Sequence, residues 1–143
     1  MKDEIKIRMY DEIIKPETVM ITGRLKGAVP KDRQAYDSGD NMSVEWGYCQ
    51  VGVLCHLAAQ DGIVVESDEQ GFRARDGEWN NSGAPRAVRL WAGLSESEHE
   101  RMTSFNDASP QPDGWRIPPE RKMEIAEKIK NGYFEDDSED WDA

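Results

Sequence analysis

The stretch Glu45–Asp61, EWGYCQVGVLCHLAAQD, decides the fold. Tyr48, Val51, Leu54, Cys55 and Ala58 recur at the three- and four-residue spacings of one helical face. Val53 and Leu57 widen that face until most of the circumference is apolar. A helix of this kind must be covered on several sides, so the pattern predicts a buried central helix over about 47–61. Gly62 follows where a helix end favours a residue that adopts positive φ freely.

Outward from this segment the signals alternate. Ile63–Glu66 and Gly71–Arg75 read as two strands of a hairpin joined across Ser67–Gln70, and Asp76–Ala84 as a loop containing Trp79. Pro85–Leu94 (PRAVRLWAGL) reads as a helix with Val88, Trp91 and Ala92 on one face, ended by Gly93. Ser95 or Ser97 caps a further helix through Ser104, whose first turn holds Glu96, Glu98 and Glu100 near the positive end of the helix dipole. Asn106–Gly114 is a turn-rich connection. The last helix starts at Pro118-Pro119, runs to Asn131 and is expected to bury Met123, Ile125, Ala126 and Ile129. In the other direction, residues 1–14 fit a strand through Ile5, Ile7 and Met9 and a helix through Ile5, Met9 and Ile13, with helix preferred. Pro16 interrupts, Glu17–Leu25 reads as a strand, and Lys26–Ser43 as one long surface loop. The expected architecture is α+β: a helical cluster around the central helix, packed with a small antiparallel sheet.

At 143 residues the chain suits one domain with an ordinary core, here expected over 1–134. Its apolar fraction is only 37%, offset by five Trp, four Tyr and three Phe, so a modest aromatic-rich core is expected. Of the 29 acids, six (Glu135, Asp136, Asp137, Glu139, Asp140 and Asp142) lie in the tail 135–143, leaving 23 against 18 bases before it. Such a run is read as a solvated extension that aids solubility, or as a polyanion that occupies a basic surface on a partner. DNA binding through a basic patch is disfavoured, because that affinity comes from Lys and Arg displacing counterions. Cys49 and Cys55, six apart on one helix, point in different directions and are poorly placed for a disulfide. With no apolar run of signal or membrane-spanning length, a reduced, cytoplasmic, membrane-free protein is expected.

The motifs YCQVGVLCHLA, RAVRLWAGL, SFNDA and EIAEKI, in that order, resemble those of a group of small accessory proteins of bacteriophages, notably actinobacterial ones. The matching positions are Tyr48, Cys49, Gly52, Leu54, Cys55, Leu57 and Ala58, then Trp91, Ala92, Gly93 and Leu94. They continue with Phe105, Asn106 and Asp107 and end with Ile125, Ala126 and Ile129. The likeness departs at His56, where the group often has an acid, and across the insert Pro110–Trp115. It implies an accessory gene of the kind that acts against host machinery or immunity, and it carries no catalytic role to any residue. Gly52 also has a packing explanation: it lets a neighbouring backbone approach the central helix.

Cys49 should lie in the first turn of the central helix, where the dipole lowers a thiol pKa, and a nucleophile there would need His99 as base and Asn106 or Asp107 to orient it. His56 is nearly two turns, about 10 Å, along the same helix and cannot serve. A packed thiol is favoured over this set (Cys49, His99, Asn106). Arg73, Arg75, Arg86 and Arg89, with Trp79 among them, form a local basic and aromatic concentration suited to an anionic planar ligand such as a nucleotide, or to pairing with the surrounding acids. The cysteines and histidines lack metal-ligand spacing, and no phosphate-binding glycine loop is present, so no metal or cofactor is expected. These readings rank a non-catalytic inhibitor first, its acidic surface, of a kind that can mimic a nucleic acid, set against a basic face of a host protein or nucleoprotein complex. A nucleotide-signal sponge comes second, and a small cysteine-dependent hydrolase or transferase third.

Overall fold

In the computed structural model, which describes residues 1–68, 71–110 and 116–135, the chain opens with helix α1 (Asp3–Ile13). Ile5, Met9 and Ile13 form its buried stripe, the helical of the two readings its sequence allows. A first sheet follows, made of β1 (Val19–Met20), β2 (Lys26–Pro30) and β3 (Val44–Tyr48), with the short helix α2 (Arg33–Asp37) between the last two. Helix α3 (Gln50–Gln60) leads to a second sheet of β4 (Val64–Ser67), β5 (Phe72–Ala74) and β6 (Trp79–Asn80). Helices α4 (Arg86–Ala92), α5 (Glu96–Asp107) and α6 (Pro119–Lys130) and a 3-10 turn (Tyr133–Glu135) complete the described residues. Among the described residues, six α-helices and two three-stranded sheets make a small α+β fold, the expected class. No helix among the described residues is long and apolar enough to cross a membrane.

Helix α3 is the centre of the molecule. Every residue from Gln50 to Ala58 except His56 is buried, and the helix packs against α1, α4, α5 and β4. Val51, Val53, Leu54 and Leu57 each contribute about 1.5–3 kcal/mol by leaving water. At its end the Ile63 N–H turns back to the Ala58 carbonyl at 2.9 Å, a path that needs Gly62 at φ +77°.

The helix starts later than the apolar pattern suggests. Residues 44–48 belong to β3, which pairs antiparallel with β2 (Pro30 opposite Val44, Lys26 opposite Tyr48) and parallel with β1 (Val19 opposite Gly47). The aromatic residues Trp46 and Tyr48 suit either state, and the ladder with two distant strands decides it. For the same reason Lys26–Ser43 is not one unbroken loop. Val29 buries with Val19 and Ile21 in a small second core, β2 takes its hydrogen bonds from β3, and Asp32 caps α2 by accepting the Ala35 N–H at 3.0 Å. The expected strand Glu17–Leu25 shrinks to Val19–Met20, with Ile21 bridging to Arg116.

The hairpin forms, with a bulge between Val64 and Glu66, and gains β6 from what its composition marks as loop: Phe72 and Arg73 pair with Asn80 and Trp79. Ser95, not Ser97, caps α5 through a reciprocal capping box with Glu98, and the helix runs on to Asp107. In α6, Ile125, Ala126 and Ile129 are buried, whereas Met123 is 40% exposed because it lies on the flank of that stripe. Of the tail acids, Glu135 is described: it pairs with the Met1 ammonium at 2.9 Å and Lys6 Nζ at 3.1 Å. Asp136, Asp137, Glu139, Asp140 and Asp142 lie outside the described residues.

Candidate functional site

The start of α3 meets the 23–25 turn and the last two turns of α5. The fit depends on Gly52, because a Cβ there would stand 1.9 Å from the Leu25 carbonyl oxygen. That carbonyl accepts the Cys49 N–H at 3.3 Å, and Cys49 Sγ accepts the Gly52 N–H at 3.4 Å, so the cysteine is the N-cap of the helix. The next free N–H, on Gln50, is met by Asn106 Oδ1 at 3.1 Å, while Asn106 Nδ2 donates to the Ile21 carbonyl at 3.0 Å. Asn106 thereby ties α5, α3 and the first sheet together with its one fully buried amide. Gln50 Nε2 donates to the Met102 carbonyl at 3.1 Å, and its Oε1 is buried without a partner. Gly23 N–H donates to Asp107 at 3.2 Å. Between these elements lies a recess of about 160 Å³ lined by Arg24, Cys49, Gln50, Thr103, Asn106 and Asp107, among others.

The arrangement separates the thiol, imidazole and amide set. Cys49 and Asn106 do line one recess, but His99 is not part of it. His99 Nε2 accepts the Ala84 N–H at 3.1 Å, and its ring lies against Gly83, so its lone pair already serves the fold. Burial and the nearby Arg89 charge hold its pKa below the ordinary value. The dipole-lowered thiol is not realised either. Burial pushes the Cys49 pKa up to about 11, with Asp107 adding to the effect, and outweighs the N–H groups of Gly52 and Val51 that favour the thiolate. Cys55, also buried and unpaired with Cys49, is likewise held well above the ordinary thiol value by desolvation.

The arginines fall on two elements. Arg73 lies on β5, its Nε donating to Glu66 at 3.0 Å and its guanidinium 5.6 Å from the Trp79 ring on β6. Arg75 is exposed just beyond β5. Arg86 and Arg89 are on α4: the first is exposed, its N–H shared by both oxygens of Glu78, and the second is half-buried with its Nε unpartnered. Among the described residues no group of three or more His, Cys, Asp or Glu is placed to hold a metal ion.

Two participants escaped sequence reasoning. Gln50 carried a signal, as a polar residue inside the most apolar stretch of the chain. Thr103 carried none, being one hydroxyl on a polar helix. No protein-family model, curated protein or solved structure matches the chain.

Proposed function

We propose that this chain is a non-catalytic binding protein of phage-accessory type, which sets an acidic surface against a basic face of a host protein or nucleoprotein complex and blocks it. The acid excess carries the reading: 29 acids against 18 bases give a net charge of −11 on 143 residues. A charge of that size speeds and orients encounter with a basic surface. The state of Cys49, buried and without an imidazole beside it, supports binding over catalysis.

The test is affinity capture from an actinobacterial lysate, followed by reconstitution with the purified partner over a salt series. Screening shortens from about 10 Å at 0.1 M salt to about 3 Å at 1 M, so the complex is expected to weaken by about tenfold or more across that range. Salt-independent affinity, or no partner at low salt, defeats the reading.

A further inference from the structure

A second recess, of about 180 Å³, opens between the end of α1, the 17–19 segment and the junction of β3 with α3. Its walls are Glu12, Glu17, Trp46, Tyr48 and His56, over a floor that includes Val53. A cavity of about 150 Å³ accommodates a six-carbon ring, so this one has room for an alkylammonium or guanidinium head.

The chemistry of the walls selects a cation. Trp46 is 41% exposed, on a strand whose neighbours Val44 and Met42 are exposed as well, so its ring is available at the surface. The Tyr48 and His56 rings lie 5.4 Å apart at a tilt, and aromatic faces attract a cation through their quadrupole. The Trp46 ring already has one cation near it, the Lys26 ammonium at 5.0 Å from its centroid. Glu12, whose side chain is 16% exposed, accepts from Lys15 Nζ at Oε2 (2.7 Å) and turns Oε1 toward His56 Nε2 at 3.8 Å, beyond hydrogen-bond length. Glu17 is exposed at the rim. Of the cations around the recess, Lys15 pairs with Glu12 as a half-exposed ammonium, and Lys122 is anchored to the carbonyls of Lys15 and Thr18. Lys15 is half-exposed, so its ammonium can turn out into water as an incoming cation takes its place at Glu12.

We propose that this recess receives a lysine or arginine side chain of the basic partner, its cation lying against Trp46 and Tyr48 and held by Glu12 and Glu17. The occupant's identity rests on the preceding reading, and the commitment to a cation rests on the charge and rings of the recess.

The experiment titrates the full chain with Nα-acetyl-lysine methylamide and its arginine counterpart, following the Trp46 indole and His56 ring resonances. The norleucine counterpart is the uncharged control. Both cationic amides are expected to move both resonances saturably, with Kd on the order of millimolar, and the norleucine amide to move neither. Glu12→Gln with Glu17→Gln should weaken binding by about fivefold or more, and Trp79→Ala should leave it unchanged. If the double variant misfolds by circular dichroism, Glu17→Gln alone, at an exposed position, decides. An equal response to norleucine, silent Trp46 and His56 resonances, or unaltered affinity in the folded carboxylate variant overturns the proposal. A lysine octapeptide separates the two readings. Salt-sensitive octapeptide binding with Trp46 and His56 silent removes this site and leaves the acidic-surface reading. Saturable binding of the single amides, with no macromolecular partner found, does the reverse.

Discussion

Cys49 shows how one residue type takes opposite characters in two settings. At an open helix N-terminus its thiol would be acidified; under the 23–25 turn and α5 it is desolvated, with its pKa pushed up to about 11. At pH 7.5 its thiolate fraction is then lower by about 100-fold than that of the same thiol unfolded, with the ordinary value of 9.0. Iodoacetamide should therefore label Cys49 and Cys55 slowly in the native chain and quickly in urea, and His99→Ala should not change the native rate. Rapid, His99-dependent labelling of Cys49 alone would restore a catalytic reading. His99 has its own signature. Its Nε2 accepts a backbone N–H only while the ring is neutral, and its folded pKa lies below 6.5. The unfolded chain thus binds the proton more readily, so this contribution is present above about pH 6.5 and is lost as pH falls through the unfolded and then the folded pKa. Urea midpoints should drop on acidification from pH 7, and His99→Gln, which keeps an acceptor but cannot titrate, should flatten that slope. An equal slope in the variant would assign the drop to other groups.

Among the elements, α5 is set by a local device. The Ser95 side chain accepts the Glu98 N–H at 3.1 Å, and the Glu98 carboxylate reaches back to the Ser95 N–H at 3.4 Å. Ser95→Ala should cost about 1 kcal/mol, while Ser97→Ala, inside the helix, should cost no more than about 0.5 kcal/mol. Urea unfolding with unchanged m-value measures both, and comparable losses would mean that the box does not hold the helix start. This boundary is legible to within two serines because the signal and its effect lie three residues apart. The first sheet is different. Its middle strand joins partners at positions 19–20 and 26–30, and nothing local in Trp46, Gly47 and Tyr48 distinguishes a strand from the first turn of the helix that follows.

For the whole molecule the relevant quantity is the charge distribution. Residues 136–143 hold five of the 29 acids. A chain ending at Glu135 therefore provides an internal arm for the salt series: association should slow and its salt dependence decrease if the tail takes part in steering. Undiminished salt sensitivity would place the effect on the body of the chain that precedes residue 136. Contacts of long reach bind that body together. Asp61 at the end of α3 accepts from Arg8 of α1 at 2.9 Å and from the Trp91 indole of α4 at 3.1 Å.

The sequence by itself determined the α+β class and helices α3 to α6, whereas α2 lies in a stretch that reads as loop and α1 in one that also fits a strand. A helix closes its hydrogen bonds within four residues, so the stripe Val51–Leu54–Cys55–Ala58, the Pro118-Pro119 start and Gly62 carry their own instructions. It also exposed the acid excess, which needs no geometry. Only the tertiary structure decided that Lys26–Pro30 is a strand, that Cys49 is a cap with a raised pKa, and that His99 serves Ala84. The same holds for the meeting of Glu12 with Trp46 and His56. Strand pairing, desolvation and the assembly of a recess all depend on groups far apart in the chain, and no local pattern encodes which of them will arrive.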